Sequence, residues 1–147
     1  MRKTVCFVTS AYNNSIHLKE CYESLREQTN PNWNWVILND MSSDDTLVVA
    51  KKIADSDERE RVTIINHNNK KYPLKGIYDY VTGYSDFSEQ IIAVIDGKDA
   101  LCNENTVELI LKEYNNNPEL DALWTSHSWD INGMNTSKEI PRNINPY

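Results

Sequence analysis

Residues 91–101 read IIAVIDGKDAL, an apolar run that opens into Asp96 and Asp99 with Gly97 and Lys98 between them. Carboxylates at the open end of a hydrophobic strand can ligate a hard divalent cation or handle a proton. An ammonium group among them does different work, because it cannot ligate a metal while protonated but can neutralise a phosphate. Mostly polar stretches also end the other apolar runs: Ser10, Ala11, Tyr12 and Asn13 at the first, Asn39 and Asp40 at the second, residues 66–69 at the third, and residues 125–127, closing on His127, at the last. Brought to one edge, these groups would make a polar site rich in hydrogen-bond acceptors.

The spacing of apolar residues supplies the elements that could bring them together. Short, mostly apolar runs at 5–10, 35–40, 62–66, 91–96 and 122–126 have the pattern of strands covered on both faces. Leu18, Cys21, Tyr22 and Leu25 fall at i, i+3, i+4 and i+7, an apolar helix stripe with Asn14 or Ser15 placed to cap it. In the next linker Ser42 or Ser43 is placed to cap a helix with Asp44 and Asp45 in its first turn and Ala50, Ile53 and Ala54 on its buried side. Val107, Ile110, Leu111 and Tyr114 form a further stripe, stopped by Asn115-Asn116-Asn117-Pro118. Strand and helix alternate, which predicts an α/β fold: an open, mostly parallel twisted sheet with helices on both faces, built from right-handed βαβ units. In such sheets ligands bind outside the carboxyl ends of the strands, near the switch in strand order. Residues 130–147 lack periodicity and are expected to be an irregular tail behind a domain of residues 1–129.

Composition narrows the function classes. With 147 residues the chain can build one domain with a core. The formal charge of -7 comes without any stripe of Lys or Arg, which argues against a nucleic-acid partner. No segment approaches the roughly 20 apolar residues of a transmembrane helix, and the apolar run after Met1-Arg2-Lys3 is too short for a signal peptide. Cys6, Cys21 and Cys102 match neither a disulfide framework nor a zinc pattern and read as reduced thiols, so a cytoplasmic location is expected. Neither a G-x-G-x-x-G nor a Walker loop is present, and no organic cofactor is expected.

In order and spacing the motifs VCFVTSAYNNSIHLKECYESLREQT, WNWVILNDMSSDDT, PLKGIYDYV and IIAVIDGKDAL resemble the family 2 glycosyltransferases of the GT-A fold, whose Rossmann-like sheet binds a nucleotide sugar. The resemblance covers about the first 100 residues, and it implies a short form that lacks most of the acceptor-binding half. A strand ending in Ser10-Ala11-Tyr12-Asn13, then Ser24-Leu25 and Gln28-Thr29, matches the family's opening, and Asn39-Asp40 with Ser42-Ser43 and Thr46 matches its second strand end. The resemblance implies that Tyr12 packs on a nucleotide base and that Asp40 accepts its imide N-H. Both suit uracil, since a carboxylate only accepts and the imide nitrogen only donates. It also implies that Lys75 faces the diphosphate and that Ser10, Ala11, Asp96, Gly97 and Lys98 complete the donor site. The donor would be a UDP-sugar of the UDP-glucose or UDP-galactose type. The acceptor, whether glycan, protein or small molecule, is not identified.

The family normally carries Asp-x-Asp here, with one carboxylate on ribose or a metal-bound water and the other on Mn2+ or Mg2+. In this chain Lys98 stands where the metal-binding carboxylate is expected, leaving Asp96 as the metal candidate. Three outcomes stay open: Lys98 replaces the metal, Asp96 and Asp99 hold a weakened cation, or nucleotide is bound without turnover. The family's catalytic base comes from a later segment, so within this sequence Asp99 and His127 are the candidates, and Trp124 and Trp129 are candidates for sugar stacking. Two functions follow. One is a hexosyltransferase, with water as a substitute acceptor giving UDP-sugar hydrolysis. The other is a non-catalytic nucleotide-sugar-binding module, or a subunit needing a partner for its acceptor half.

Overall fold

The computed structural model describes residues 4–83, 90–123, 128–131 and 134–137. It divides the chain into two units, at Met1–Asn116 and Asn117–Tyr147. In the first, four strands alternate with four helices: β1 (Thr4–Ala11), α1 (Leu18–Arg26), β2 (Trp33–Asn39), α2 (Thr46–Ser56), β3 (Val62–Asn66), α3 (Pro73–Gly83), β4 (Gln90–Val94) and α4 (Thr106–Asn116). All pairings are parallel, in the order β3-β2-β1-β4. The chain moves outward from β1 to β3 and then jumps back past β1 to β4. Right-handed crossovers then put α1 and α2 on one face of the sheet and α3 on the other.

The core agrees with that handedness. On one face Cys6, Val8, Val36 and Leu38 pack with Tyr80 of α3, flanked by Ile77 and Val81 of the same helix. On the other, Trp35 stacks its ring on Tyr22 of α1, 6.3 Å between centroids, and donates its indole N-H to Thr9 Oγ1 at 2.8 Å. Leu18, Cys21 and Leu25 complete the buried stripe of α1 as its spacing predicts. Gln28 then ties α1 to α4, donating to Ser24 O and Asn103 O and accepting the Val107 N-H at 3.0 Å. At the opposite end of the strands the buried Asp57 carboxylate takes an Arg61 guanidinium at 2.6 Å and the Tyr22 hydroxyl at 3.1 Å, with Arg61 lying on the Trp33 ring.

Three details differ from the sequence expectations. The residue at the N-cap of α1 is His17, not Asn14 or Ser15, and its side chain makes no capping bond; Asn14 contributes its carbonyl instead, to the N-H groups of His17 and Leu18. Ser42 and Ser43 do not cap α2, which begins at Thr46 after Asp45, because Asp44 accepts the Thr46 N-H while the serines bond Asn13. Of the fifth expected strand, 122–126, residues 122 and 123 are irregular and the rest lies outside the described residues. In the second unit β5 (Ser128–Ile131) and β6 (Met134–Ser137) pair antiparallel, so regular strands occupy part of the stretch expected to be an irregular tail. No helix among the described residues is long and apolar enough to cross a membrane.

Cys6 and Cys21 are buried and Cys102 is exposed. Burial pushes the Cys21 thiol up to about 12, aided by the Asp99 and Asp96 carboxylates, and burial raises Cys6 despite its contact with the Tyr80 hydroxyl. Thiolate, not thiol, is the reactive form. A colorimetric disulfide reagent at neutral pH should therefore titrate one thiol rapidly in native protein and all three after guanidinium unfolding; fast reaction of two or more native thiols would contradict this packing.

Candidate functional site

The switch in strand order falls between β1 and β4, and the polar strand ends collect there. Ala11, the last residue of β1, is buried and its carbonyl accepts the Asp40 N-H at 2.9 Å, joining the ends of the two central strands. Ser10, just before it, is half-buried. Beyond them the chain folds back through left-handed residues, Asn13 at φ 53° and Met41 at φ 59°. The two loops are stitched together: Asn13 N-H donates to Ser42 Oγ at 3.1 Å, Ser43 N-H to Asn13 Oδ1 at 2.9 Å, Asn14 N-H to Thr46 Oγ1 at 2.7 Å, and Ser15 N-H and hydroxyl to Asp44 Oδ2. Asp44 also accepts a very short bond from the Thr46 hydroxyl. A sequence that reads as two separate turns is one rigid rim.

Asp40 is the most heavily engaged group at this edge. Its Oδ1 accepts the Lys71 N-H at 2.6 Å, its Oδ2 accepts the Tyr72 N-H at 2.9 Å, and the Lys70 ammonium sits 3.3 Å from Oδ2 while donating to the Asp40 carbonyl at 3.0 Å. Burial raises the carboxyl pKa, but the two backbone N-H groups and the Lys70 ammonium outweigh it and hold the group below its usual range. His67 Nδ1 lies 3.6 Å from Asp40 Oδ1, too far to hydrogen-bond. Tyr12 stands half-exposed beside this cluster with the Lys70 Nζ 2.9 Å from its ring centroid. Tyr72 takes a left-handed backbone, φ 63°, to aim its N-H at the carboxylate.

The DGKD turn closes the site from the β4 side. The Ile95 N-H donates to Val8 O at 3.2 Å, Asp96 Oδ1 accepts the Lys98 N-H at 3.0 Å, and Asp96 O accepts the Asp99 N-H at 3.0 Å, so the first aspartate shapes its own turn. Gly97 is buried against the β1–α1 loop: a Cβ there would lie 2.5 Å from Asn14 Nδ2 and 3.2 Å from Thr9 Cγ2. Asp96, Lys98 and Asp99 are exposed. A hard cation held by the protein needs several oxygen ligands. Here one Asp96 oxygen is engaged by the turn, an ammonium-bearing residue separates the two carboxylates, and no group of three or more His, Cys, Asp or Glu side chains among the described residues is placed to hold a metal. Protein side chains among the described residues therefore do not form a closed cation site; Asp96 and Asp99 would hold a cation only together with substrate phosphates.

The structure thus gathers Ser10, Ala11, Tyr12 and Asp40, and Gly97 brings Asp96, Lys98 and Asp99 against the same loop. Lys75 is on α3, where its ammonium pairs with Asp79 at 2.7 Å; Asp79 also holds Lys71. His127 and Trp124 lie outside the described residues, and Trp129 falls in β5. Sequence reading overlooked Lys70, Lys71 and Tyr72, whose signal was a pair of lysines directly after the third strand end, and Asn14, which it took for a cap. Among the described residues four buried side-chain atoms have no hydrogen-bond partner, and three of them, Asn14 Oδ1, Asn39 Oδ1 and His67 Nδ1, belong to residues at this carboxyl edge. Orphaned buried polar atoms need a partner such as water or a ligand.

An open parallel sheet with a polar site at its switch point defines an α/β domain of the GT-A type. The match to glycosyl transferase family 2 spans residues 6–147, and the chain belongs to that family. Comparison with curated proteins finds no match. Among solved structures, a mannosyltransferase of Pyrobaculum calidifontis in complex with GDP-Man and Mn2+ superposes with a TM-score of 0.61 at 14% identity, covering 71% of this chain and 30% of that one. S. aureus TarS residues 1–349 in complex with UDP-GlcNAc gives 0.65 at 16% identity, covering 77% and 31%. At these identities the likeness is one of fold, and the chain spans about a third of the length of either structure.

Two predictions follow from the rim. Gly97→Ala should destabilise the protein by about 1–3 kcal/mol in urea unfolding, because the methyl must displace the Asn14 amide; trimming Asn14 to Ser in the same chain should recover part of the loss, and an unchanged midpoint for the single variant would refute the contact. Asp44 is held at a pKa of about 2, chiefly by the Thr46 hydroxyl, against burial and with help from Ser15, below its ordinary 3.8. A depressed carboxylate stabilises the fold above its unfolded pKa, and that contribution is lost as pH falls from about 4 towards 2. Asp44→Asn should therefore flatten the decline of the urea midpoint over that range, and parallel pH profiles for the two proteins would count against it.

Proposed function

We propose that this site binds a UDP-sugar and presents it for hexosyl transfer. The observation that carries the reading is the pairing of a half-exposed ring, Tyr12, with a carboxylate, Asp40, across the ends of β1 and β2, beside orphaned buried polar atoms. A flat ring offers a stacking surface and a charged carboxylate can only accept, so together they select a base with an imide N-H, as uracil has. Ser10 and Ala11 would line the ribose side and Asp96 and Gly97 the diphosphate side. Family membership supports a glycosyltransferase, and the fold neighbours crystallised with UDP-GlcNAc or GDP-Man support a nucleotide-sugar donor.

In transfer the acceptor oxygen bonds to the anomeric carbon, the bond from that carbon to the diphosphate oxygen breaks, UDP leaves with the electron pair, and the acceptor's proton passes to a base. Asp99 would be the base that takes it, with His127 the second candidate. We assign the leaving-group charge to Lys98, whose ammonium would neutralise the departing diphosphate in the role a metal ion plays elsewhere. A lysine does this as a mobile point charge, without the fixed geometry of a coordination shell. With water as acceptor the same steps give hydrolysis. A module that binds the donor and borrows its acceptor half from a partner is the second reading, favoured by Lys98 standing where the family carries a carboxylate.

Calorimetric titration with UDP should show binding that Tyr12→Ala weakens about tenfold or more, the scale of a lost base-aromatic stack. UDP release from UDP-glucose or UDP-galactose should proceed in chelator and gain little from Mn2+, whereas Lys98→Asp should acquire measurable Mn2+ affinity. Turnover that strictly requires Mn2+ in the unaltered protein would overturn the role of Lys98, binding without turnover would select the module, and absence of UDP binding at millimolar concentration would remove the site.

A further inference from the structure

The groups read above as the base-binding pair are already in contact with something else. The Lys70 Nζ lies 2.9 Å from the Tyr12 ring centroid and 3.3 Å from Asp40 Oδ2, and also donates to the Asp40 carbonyl at 3.0 Å. Any base that touches both the Tyr12 face and the Asp40 carboxylate must occupy the space between them, and that space holds the ammonium. Lys70 supplies to both groups what a uracil would: a flat-ring partner for Tyr12, as a cation on the π face, and a donor for Asp40. Its side chain is about a third exposed, so it can swing out without unpacking the core, and the remaining partners of Asp40, the Lys71 and Tyr72 N-H groups, are backbone and stay in place.

We propose, on the reading that Tyr12 and Asp40 receive the base, that Lys70 is a built-in occupant of the base subsite and sets its selectivity for nucleotides over nucleosides. Binding is then an exchange. A nucleoside must evict the ammonium from the ring and the carboxylate into water, and it offers nothing in return. A nucleoside diphosphate evicts it too, but brings an anion beside the same loop on which the freed ammonium can settle. Lys71 and Lys75, the next lysines along the chain, are less available because both are held by Asp79. Lys70 thereby suppresses binding of the unphosphorylated base while tolerating or assisting the intact donor, and it keeps the buried Asp40 charge compensated when the site is empty.

The test is a set of titrations of the full chain with uridine and with UDP, in unaltered protein and in Lys70→Ala, Lys70→Met and Lys70→Arg, each checked for an unchanged circular dichroism spectrum. A cation on a partly desolvated ring corresponds to a factor of about ten in affinity. Lys70→Ala and Lys70→Met, which keeps the stem without the charge, should bind uridine about tenfold more tightly and UDP no more tightly than the unaltered protein. The preference for UDP over uridine should therefore fall about tenfold, and Lys70→Arg should retain it. Uridine binding that is unchanged or weakened in the uncharged variants, alongside normal UDP binding to the unaltered protein, would overturn the exchange and leave the base site standing. Failure of every variant and the unaltered protein to bind either ligand at millimolar concentration would instead sink the base site itself, and the exchange with it.

Discussion

Asp40 directly follows the second strand with its side chain 2% exposed, and a charged carboxylate so placed is unstable unless hydrogen bonds replace the water it has lost. Two backbone N-H groups and an ammonium do so, and all three come from residues 70–72. That requirement dictates the course of the chain after β3. The segment must double back across the end of β2, and Tyr72 must adopt a left-handed backbone that disfavours a bulky side chain, a strain tolerated because it delivers a charge-assisted bond. The start of α3 follows directly, at Pro73, a residue pre-set for the first turn of a helix. A single buried charge thus fixes the relative placement of the ends of β2 and β3 and the beginning of α3, and through the bond from its own N-H to Ala11 O it fixes β1 as well.

Most of the sheet could be read from the sequence because its strands are uninterrupted apolar runs and its helices carry apolar stripes at helical spacing, signals that depend only on neighbours in the chain. Capping was less legible because it is decided by contacts across the fold. Ser42 and Ser43 are good helix caps in isolation, yet they are drawn to Asn13, about 30 residues away, and Asp44 divides its oxygens between Thr46 and Ser15. Tyr12, Asp40 and the DGKD turn were legible through the order of their motifs. Lys70 and Lys71 were not, since a polar stretch after a strand looks like a solvated loop until strand order shows that β3 neighbours β2 and that Asp40 is buried beneath it.

Gly97 shows how the other half of the rim is set. The residue does not sit at a positive φ, so its lack of a side chain answers a demand for space and not for backbone freedom. Asn14 occupies the volume where a Cβ would stand, with its own N-H committed to Thr46 at the start of α2. The turn that carries Asp96, Lys98 and Asp99 is therefore seated on the same loop that carries Tyr12. Proximity of the Tyr12–Asp40 cluster and the DGKD turn is thus a packing consequence of one small residue meeting one amide, and the exposed Asp96, Lys98 and Asp99 side chains inherit their position from it.

Charge closes the argument about what such a rim can attract. The chain carries a formal charge of -7, which would repel a diphosphate at a distance, and screening confines the repulsion to roughly 8 Å at physiological salt. Recognition of an anion must then come from cations inside that radius. Lys71 and Lys75 share the single Asp79 carboxylate, Lys70 is lodged against a carboxylate and a ring, and no ion pair is found for Lys98 among the described residues. A site with one cation on loan to its own carboxylate and another at the mouth of a carboxylate turn offers little to a neutral molecule. On the proposed reading the ligand that suits it joins a flat donor-bearing ring to a pair of phosphates, which would satisfy Tyr12, Asp40 and both ammonium groups at once.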